Sequence, residues 1–214
     1  KEEIRSLIHL YINEPEKCAA EIVKDYYMKN DQVASEIAEF ARDTDFRTNK
    51  YEIASDLQSI IGYNRGAQKD QNKYKIVELL SQGDFHNPWF DIQLISLKKW
   101  LEEESTFSLD HAMVFPVDFF GDLIISWAKI GGGKITRVLK SKYSDAKAFI
   151  GIDTRNEDII IHSDFINCRE FAREFQGGGH IVRAGFKYSH IFEKADVLTQ
   201  SFIEDIKNNI RKFI

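Results

Sequence analysis

Up to residue 82 the apolar positions recur at helical spacing. Ala19, Ile22, Val23 and Tyr26 form one set, Val33, Ile37 and Phe40 a second, and Ile53, Leu57, Ile60 and Ile61 a third, each opposed by a charged face. The run Gly62-Tyr63-Asn64-Arg65-Gly66 predicts a break, after which Lys73 to Leu80 restarts a helix that stops at Gly83. Asn87-Pro88 then opens a longer helix through Ile92, Ile95 and Leu101, with the acidic run Glu102-Glu103-Glu104 at its solvated end. A domain boundary is expected close to Ser105. Beyond it the period changes, because short β-branched or aromatic runs alternate with helical ones: Met113–Phe115, Leu123–Trp127, Phe149–Ile152, Ile159–Ile161 and Ala184–Tyr188 read as strands. Helices are expected over Ile135–Leu139, over a segment capped by Asn167 and Glu170 with Cys168, Phe171, Ala172 and Phe175 on one face, and over a last stripe of Ala195, Leu198, Phe202, Ile206 and Ile210.

The pattern predicts an α/β chain in three parts: a helical portion over 1–82, a connecting helix over 83–105 and a small mixed-sheet α/β domain over 106–214. A length of 214 residues and 43% hydrophobic content support a buried core. No apolar run is long enough to span a bilayer, so no membrane partner is expected and the cytoplasm is the default location. Cys18 and Cys168 are too few and too far apart for a disulfide framework or a zinc site and predict buried thiols. A formal net charge of −5 argues against gripping long nucleic acid through many phosphates but allows a short anionic ligand.

Candidate chemistry concentrates in Phe175-Gln176-Gly177-Gly178-Gly179-His180-Ile181-Val182-Arg183-Ala184-Gly185-Phe186. Three glycines leave backbone amides unshielded, and His180 adds a donor that can carry charge near neutral pH, so the segment suits a phosphate. Arg183 shares a strand face with Gly185 and Lys187, and either adds a bidentate phosphate contact or is a solvated edge arginine. His162, at the end of a strand, either caps a backbone group or touches the ligand. A second run, Gly131-Gly132-Gly133-Lys134, lacks the hydroxyl residue and the earlier glycine of a Walker loop and reads as a turn; Arg137, Lys140, Lys142 and Lys147 beyond it read as a solvated helix face.

Gly-Gly-Gly-His followed by Ala-Gly-Phe resembles the signature of the C-terminal substrate-binding domain of the DHH phosphoesterases, manganese-dependent hydrolases of phosphate esters. Gln176 stands where that family usually has a fourth glycine, Arg183 where it has alanine, and His162-Ser163 where many members carry Arg-Ser. The Asp-His-His triplet that names the family is absent from the chain. The resemblance implies a phosphate site at Gly177, Gly178, Gly179 and His180, joined by Arg183 and His162, with His180 binding substrate rather than acting as a base. Asp43-Thr44-Asp45-Phe46 resembles the family's Asp-Thr-x-Phe element, which makes Asp43 a manganese ligand and Asp45 the alternative. The reading is then the C-terminal part of a Mn²⁺- or Mg²⁺-dependent phosphodiesterase acting on short oligonucleotides or dinucleotides, cyclic ones included. The metal-binding half would precede Lys1; the chain alone would bind substrate without metal or catalysis, as a monomer or homodimer. The open alternatives are a non-catalytic nucleotide-binding module and an accessory domain of an RNA-editing hydrolase.

Overall fold

A computed structural model describes residues 12, 14–65, 69–194 and 196–214. The chain divides into two compact units, residues 1–98 and 99–214.

The first unit is helical. α1 (Ala19–Tyr27), α2 (Gln32–Phe46), α3 (Glu52–Tyr63) and α4 (Asp70–Ser81) follow the predicted stripes, and α5 (Pro88–Asp110) begins at the proline. The Asp31 side chain starts α2 by accepting the Ala34 N–H at 2.8 Å. Leu57, Ile60, Ile76, Leu79 and Phe90 form the core, each contributing about 1.5–3 kcal/mol by leaving water. Val23 and Tyr26 remain half exposed, so the face expected on α1 is only partly covered. Gly66, the far end of the predicted break, lies outside the described residues; the helix before it runs to Tyr63.

The second unit is a six-stranded sheet in the order β1-β2-β3-β4-β6-β5, built from β1 (Met113–Val117), β2 (Gly121–Ala128), β3 (Ala148–Asp153), β4 (Asp158–Ser163), β5 (Gly178–Gly179) and β6 (Arg183–Phe186). Among the described strands only β2 and β3 pair in parallel, and their crossover is α6 (Gly132–Lys142), as parallel neighbours require. Alternation along β3 and β4 sends Ile150, Ile152, Ile159 and Ile161 to the face covered by α7 (Cys168–Arg173) and α8 (Gln200–Arg211). The opposite face carries Phe149 and Ile124 against Ile135 and Leu139 of α6. A separate two-stranded ribbon joins β7 (Phe192–Lys194) to β8 (Val197–Leu198).

The second glycine run has a packing reason. A Cβ on Gly132 would lie 2.4 Å from the Gly151 carbonyl oxygen, and one on Gly151 would lie 2.4 Å from that of Gly132. Two glycines facing each other let the first turn of α6 rest on the backbone of β3.

Several boundaries differ from the sequence reading. Ser105 lies inside α5, which continues to Asp110, and the two units divide within that helix. The helix runs on past Glu104, whose carboxylate accepts the Lys129 N–H at 2.7 Å instead of standing in solvent. The last strand of the sheet is Arg183–Phe186, and the final helix starts at Gln200, where Thr199 accepts the Phe202 N–H at 3.3 Å. Leu198 is therefore in a strand, and Ala195 lies outside the described residues. Both cysteines are buried free thiols, and burial pushes Cys168 up to about 11. Among the described residues no helix is long and apolar enough to cross a membrane.

Candidate functional site

α7 delivers the glycine loop. The Asn167 side chain accepts the N–H groups of Arg169 and Glu170, at 3.1 and 3.3 Å, while Glu170 itself pairs with Arg173 rather than closing a reciprocal box. The chain leaves the helix through Gln176, at φ 59, and enters β5, where Gly178 lies opposite Gly185 and Gly179 opposite Ala184. His180 and Arg183 exchange both backbone hydrogen bonds, His180 N–H to Arg183 O at 2.7 Å and the reverse at 3.2 Å. They close a two-residue turn of Ile181 and Val182. Residues directly opposite in an antiparallel pair project from the same face, so His180 belongs with Arg183.

The glycines are not equivalent. A Cβ on Gly177 would meet the Gly185 oxygen at 2.2 Å. Gly179 sits at φ +148, with Ala184 Cα 2.7 Å from its would-be Cβ. Gly178 has no described atom within 4 Å of that point and no positive φ. Gly177 and Gly179 are therefore glycine for packing and conformation, and Gly178 is exposed with open space where a side chain would stand. The expected row of unshielded amides is not found: the Gly177 N–H donates to the Ala172 carbonyl at 2.8 Å, and Gly178 pairs with Gly185 in the ladder.

The register that pairs His162 with Arg183 brings both onto the α6 face of the sheet. Arg183 Nη2 lies 3.4 Å from His162 Nδ1, and Lys140 Nζ, arriving from α6, lies 3.4 Å from His162 Nε2. Lys140 also holds Asp164 at 2.5 Å. Arg183 reaches toward the first turn of α6, where its Nη1 is 3.9 Å from the point a Cβ of Gly133 would occupy. Three elements far apart in sequence thus converge on one imidazole. Burial first, then the charges of Lys140 and Arg183, push the His162 pKa below its ordinary value against the weaker pull of Asp164.

A neutral imidazole has one accepting nitrogen and one N–H. With a cationic donor against each nitrogen, one contact must set donor against donor. The Arg183 Nε is in addition buried without a hydrogen-bond partner among the described residues. An anion with several lone pairs would satisfy Arg183, Lys140 and the His162 N–H together. Lys140, assigned to a solvated face by its spacing, belongs to this cluster. Only the sheet register discloses it.

Asp43, near the end of α2, is buried in the first unit. One carboxylate oxygen accepts the Thr48 hydroxyl and the Lys50 N–H, the latter at 2.8 Å, and the other accepts the Tyr51 N–H at 2.9 Å. The Lys50 amide, then Thr48 and the Tyr51 amide, hold its pKa below the usual carboxylate range. The visible work of Asp43 is to fold the turn into α3. Asp45 stands two residues on, at the end of the same helix. Among the described residues no group of three or more His, Cys, Asp or Glu side chains could hold a metal ion. The carboxylate that the resemblance makes a metal ligand is already engaged by its own chain.

No family model matches the chain, and no curated protein does. Among solved structures it is similar to an exopolyphosphatase-related protein from Bacteroides fragilis, at 16% identity and a TM-score of 0.39, covering 95% of this chain and 59% of the other. A pGpG-specific phosphodiesterase, PggH, from Vibrio cholerae matches at 10% identity and a TM-score of 0.41, covering 90% and 71%. The DHH domain of a protein described as belonging to a family of ribosomal proteins matches at 12% identity and a TM-score of 0.41, covering 90% and 50%. The chain spans between half and about 71% of the length of these proteins.

Proposed function

We propose that this chain is the substrate-binding part of a DHH-type phosphodiesterase and holds a phosphate of a short oligonucleotide or dinucleotide on the α6 face of its sheet. The observation that carries the reading is the convergence of Arg183 and Lys140 on the two nitrogens of His162, beside a buried Arg183 Nε that has no acceptor among the described residues. By register His180 stands opposite Arg183, and the exposed Gly178, paired with Gly185, leaves the approach free of a side chain. Arg183 supplies a fork for two phosphate oxygens, Lys140 a charge steadied by Asp164, and His162 a hydrogen bond whose donor count rises if it takes up a proton. Together they would fix and orient the phosphate, leaving hydrolysis to groups outside this cluster. Mn²⁺ or Mg²⁺ belongs to the proposal only for an intact enzyme, since the engaged oxygens of Asp43 offer no centre by themselves.

Titration calorimetry with a 5′-phosphorylated dinucleotide and with a counterpart that carries no charged phosphate, its terminus dephosphorylated and its linkage a neutral methylphosphonate, tests the reading. Arg183→Ala should weaken the phosphorylated ligand by about 1.5–3 kcal/mol, the range for a hydrogen bond to a charged group, and leave the uncharged one nearly unchanged. Gly178→Val suits as a second variant, because the open space at this position accommodates a side chain, which would stand on the Arg183 face through the pairing of Gly178 with Gly185. Equal binding of the two ligands by the unaltered chain, or no change in either variant, would sink the proposal.

A further inference from the structure

Phe165 directly follows Asp164, the carboxylate that anchors Lys140. Its side chain is left in solvent, 59% exposed, while the next residue, Ile166, is buried in the core. The backbone beneath the ring is firmly held. The Phe165 N–H donates to Ser163 Oγ at 3.0 Å, and that hydroxyl donates in turn to the Lys147 carbonyl at 2.7 Å. The Lys147 ammonium lies 4.1 Å from the ring centroid, within range of a cation–π contact. A flat aromatic surface on a fixed stalk therefore follows directly, in sequence, on the carboxylate that Lys140 holds. Lys147 at the ring and Lys140 on the adjoining Asp164 bring two positive charges to the neighbourhood of Phe165. A seated aromatic ring next to phosphate-seeking cations is the combination by which proteins hold single-stranded nucleic acid, because every base has a π-face to stack.

We propose that Phe165 is a stacking platform for a nucleobase. The ligand of this face is then a nucleotide chain, with a phosphate among Lys140, His162 and Arg183 and the adjoining base on the Phe165 ring; inorganic phosphate or polyphosphate would use the cations and leave the ring bare. This deepens the function proposed above and rests on it.

The test uses the full 214-residue chain and two probes, a 5′-phosphorylated adenine dinucleotide and the same sugar-phosphate chain without bases. Phe165→Ala should weaken the base-bearing probe by about 5- to 150-fold, the range for losing one stacked base, and leave the abasic probe within about twofold. Phe165→Trp should restore the affinity, and quenching of a 2-aminopurine placed in the probe should vanish in Phe165→Ala and return with tryptophan. An equal loss on both probes would show a structural role, and no loss on the base-bearing probe would show that the ring is not used; either result overturns the platform. Arg183→Ala separates this from the parent reading. If it weakens both probes while Phe165→Ala weakens neither, the phosphate site stands and the platform falls; if it weakens neither, both fall.

Discussion

Gly179→Ala and Gly178→Ala are the same chemical change at adjacent residues, and the structure expects opposite outcomes. At Gly179 the φ of +148° disfavours any residue with a Cβ, at about 1–3 kcal/mol for a sparsely populated backbone conformation. The added methyl would also sit 2.7 Å from Ala184 Cα and 2.8 Å from the Arg183 carbonyl oxygen, both backbone atoms of the neighbouring strand that cannot swing aside. Overpacking of that kind costs a further 1–3 kcal/mol or so. The total of about 2–6 kcal/mol compares with about 5–15 kcal/mol for the whole stability of a typical domain. At Gly178 neither term applies, since φ is not positive and no described atom lies within 4 Å of the new methyl. Its effect should stay within about 0.5 kcal/mol, as for a plain surface substitution. Urea unfolding followed through Trp127, buried in the second unit, provides the assay. With an m-value of about 1–3 kcal/mol/M, the Gly179→Ala midpoint should fall by on the order of 2 M and that of Gly178→Ala should hardly move. Equal destabilisation by the two variants would refute the distinction between a conformational glycine and an uncovered one.

The two remaining predictions concern protons. His162 has a depressed pKa in the free protein, so it is neutral at pH 7, and a phosphate placed beside it favours the charged form; binding should take up protons, and affinity should rise as pH falls from the ordinary histidine value of about 6.5 toward the depressed one. Calorimetry in buffers of different ionisation heat checks this, and a His162→Gln variant that keeps the same proton uptake would count against it. Asp43 has a lowered pKa, so its stabilising bonds to Thr48, Lys50 and Tyr51 are fully present above the ordinary carboxylate value and are lost as pH falls through the depressed one. Asp43→Asn should lower the urea midpoint at pH 7 and flatten the acid limb of the stability profile; an unchanged midpoint together with an unchanged acid limb would remove the carboxylate from the account of this turn.

Local chemistry made much of this protein legible before any fold was in view. The apolar period marked the helices of the first unit, Pro88 and Asn167 marked two helix starts, and the alternating aliphatic runs located β1 to β4 to within a few residues. Those features depend on neighbours within a few positions, which the order of residues states directly. The glycine-histidine segment was legible as candidate chemistry for the same reason. What escaped depends on partners distant along the chain. The ribbon of β7 and β8 is too short to show a period, so Leu198 joined the helical stripe beyond it. Gly132 reads as a turn residue until β3 brings Gly151 against it, and Gly178 and Gly179 differ only through what β6 places beside them. Lys140 looks like one more charge on a solvated helix. The antiparallel pairing of β4 with β6 sets His162 opposite Arg183, and the crossing of α6 over that pair carries Lys140 to the second nitrogen. Residue order supplied the donors, and the tertiary structure decided that they meet, because cationic side chains come together around one imidazole only where the packing of strands and helix holds them there.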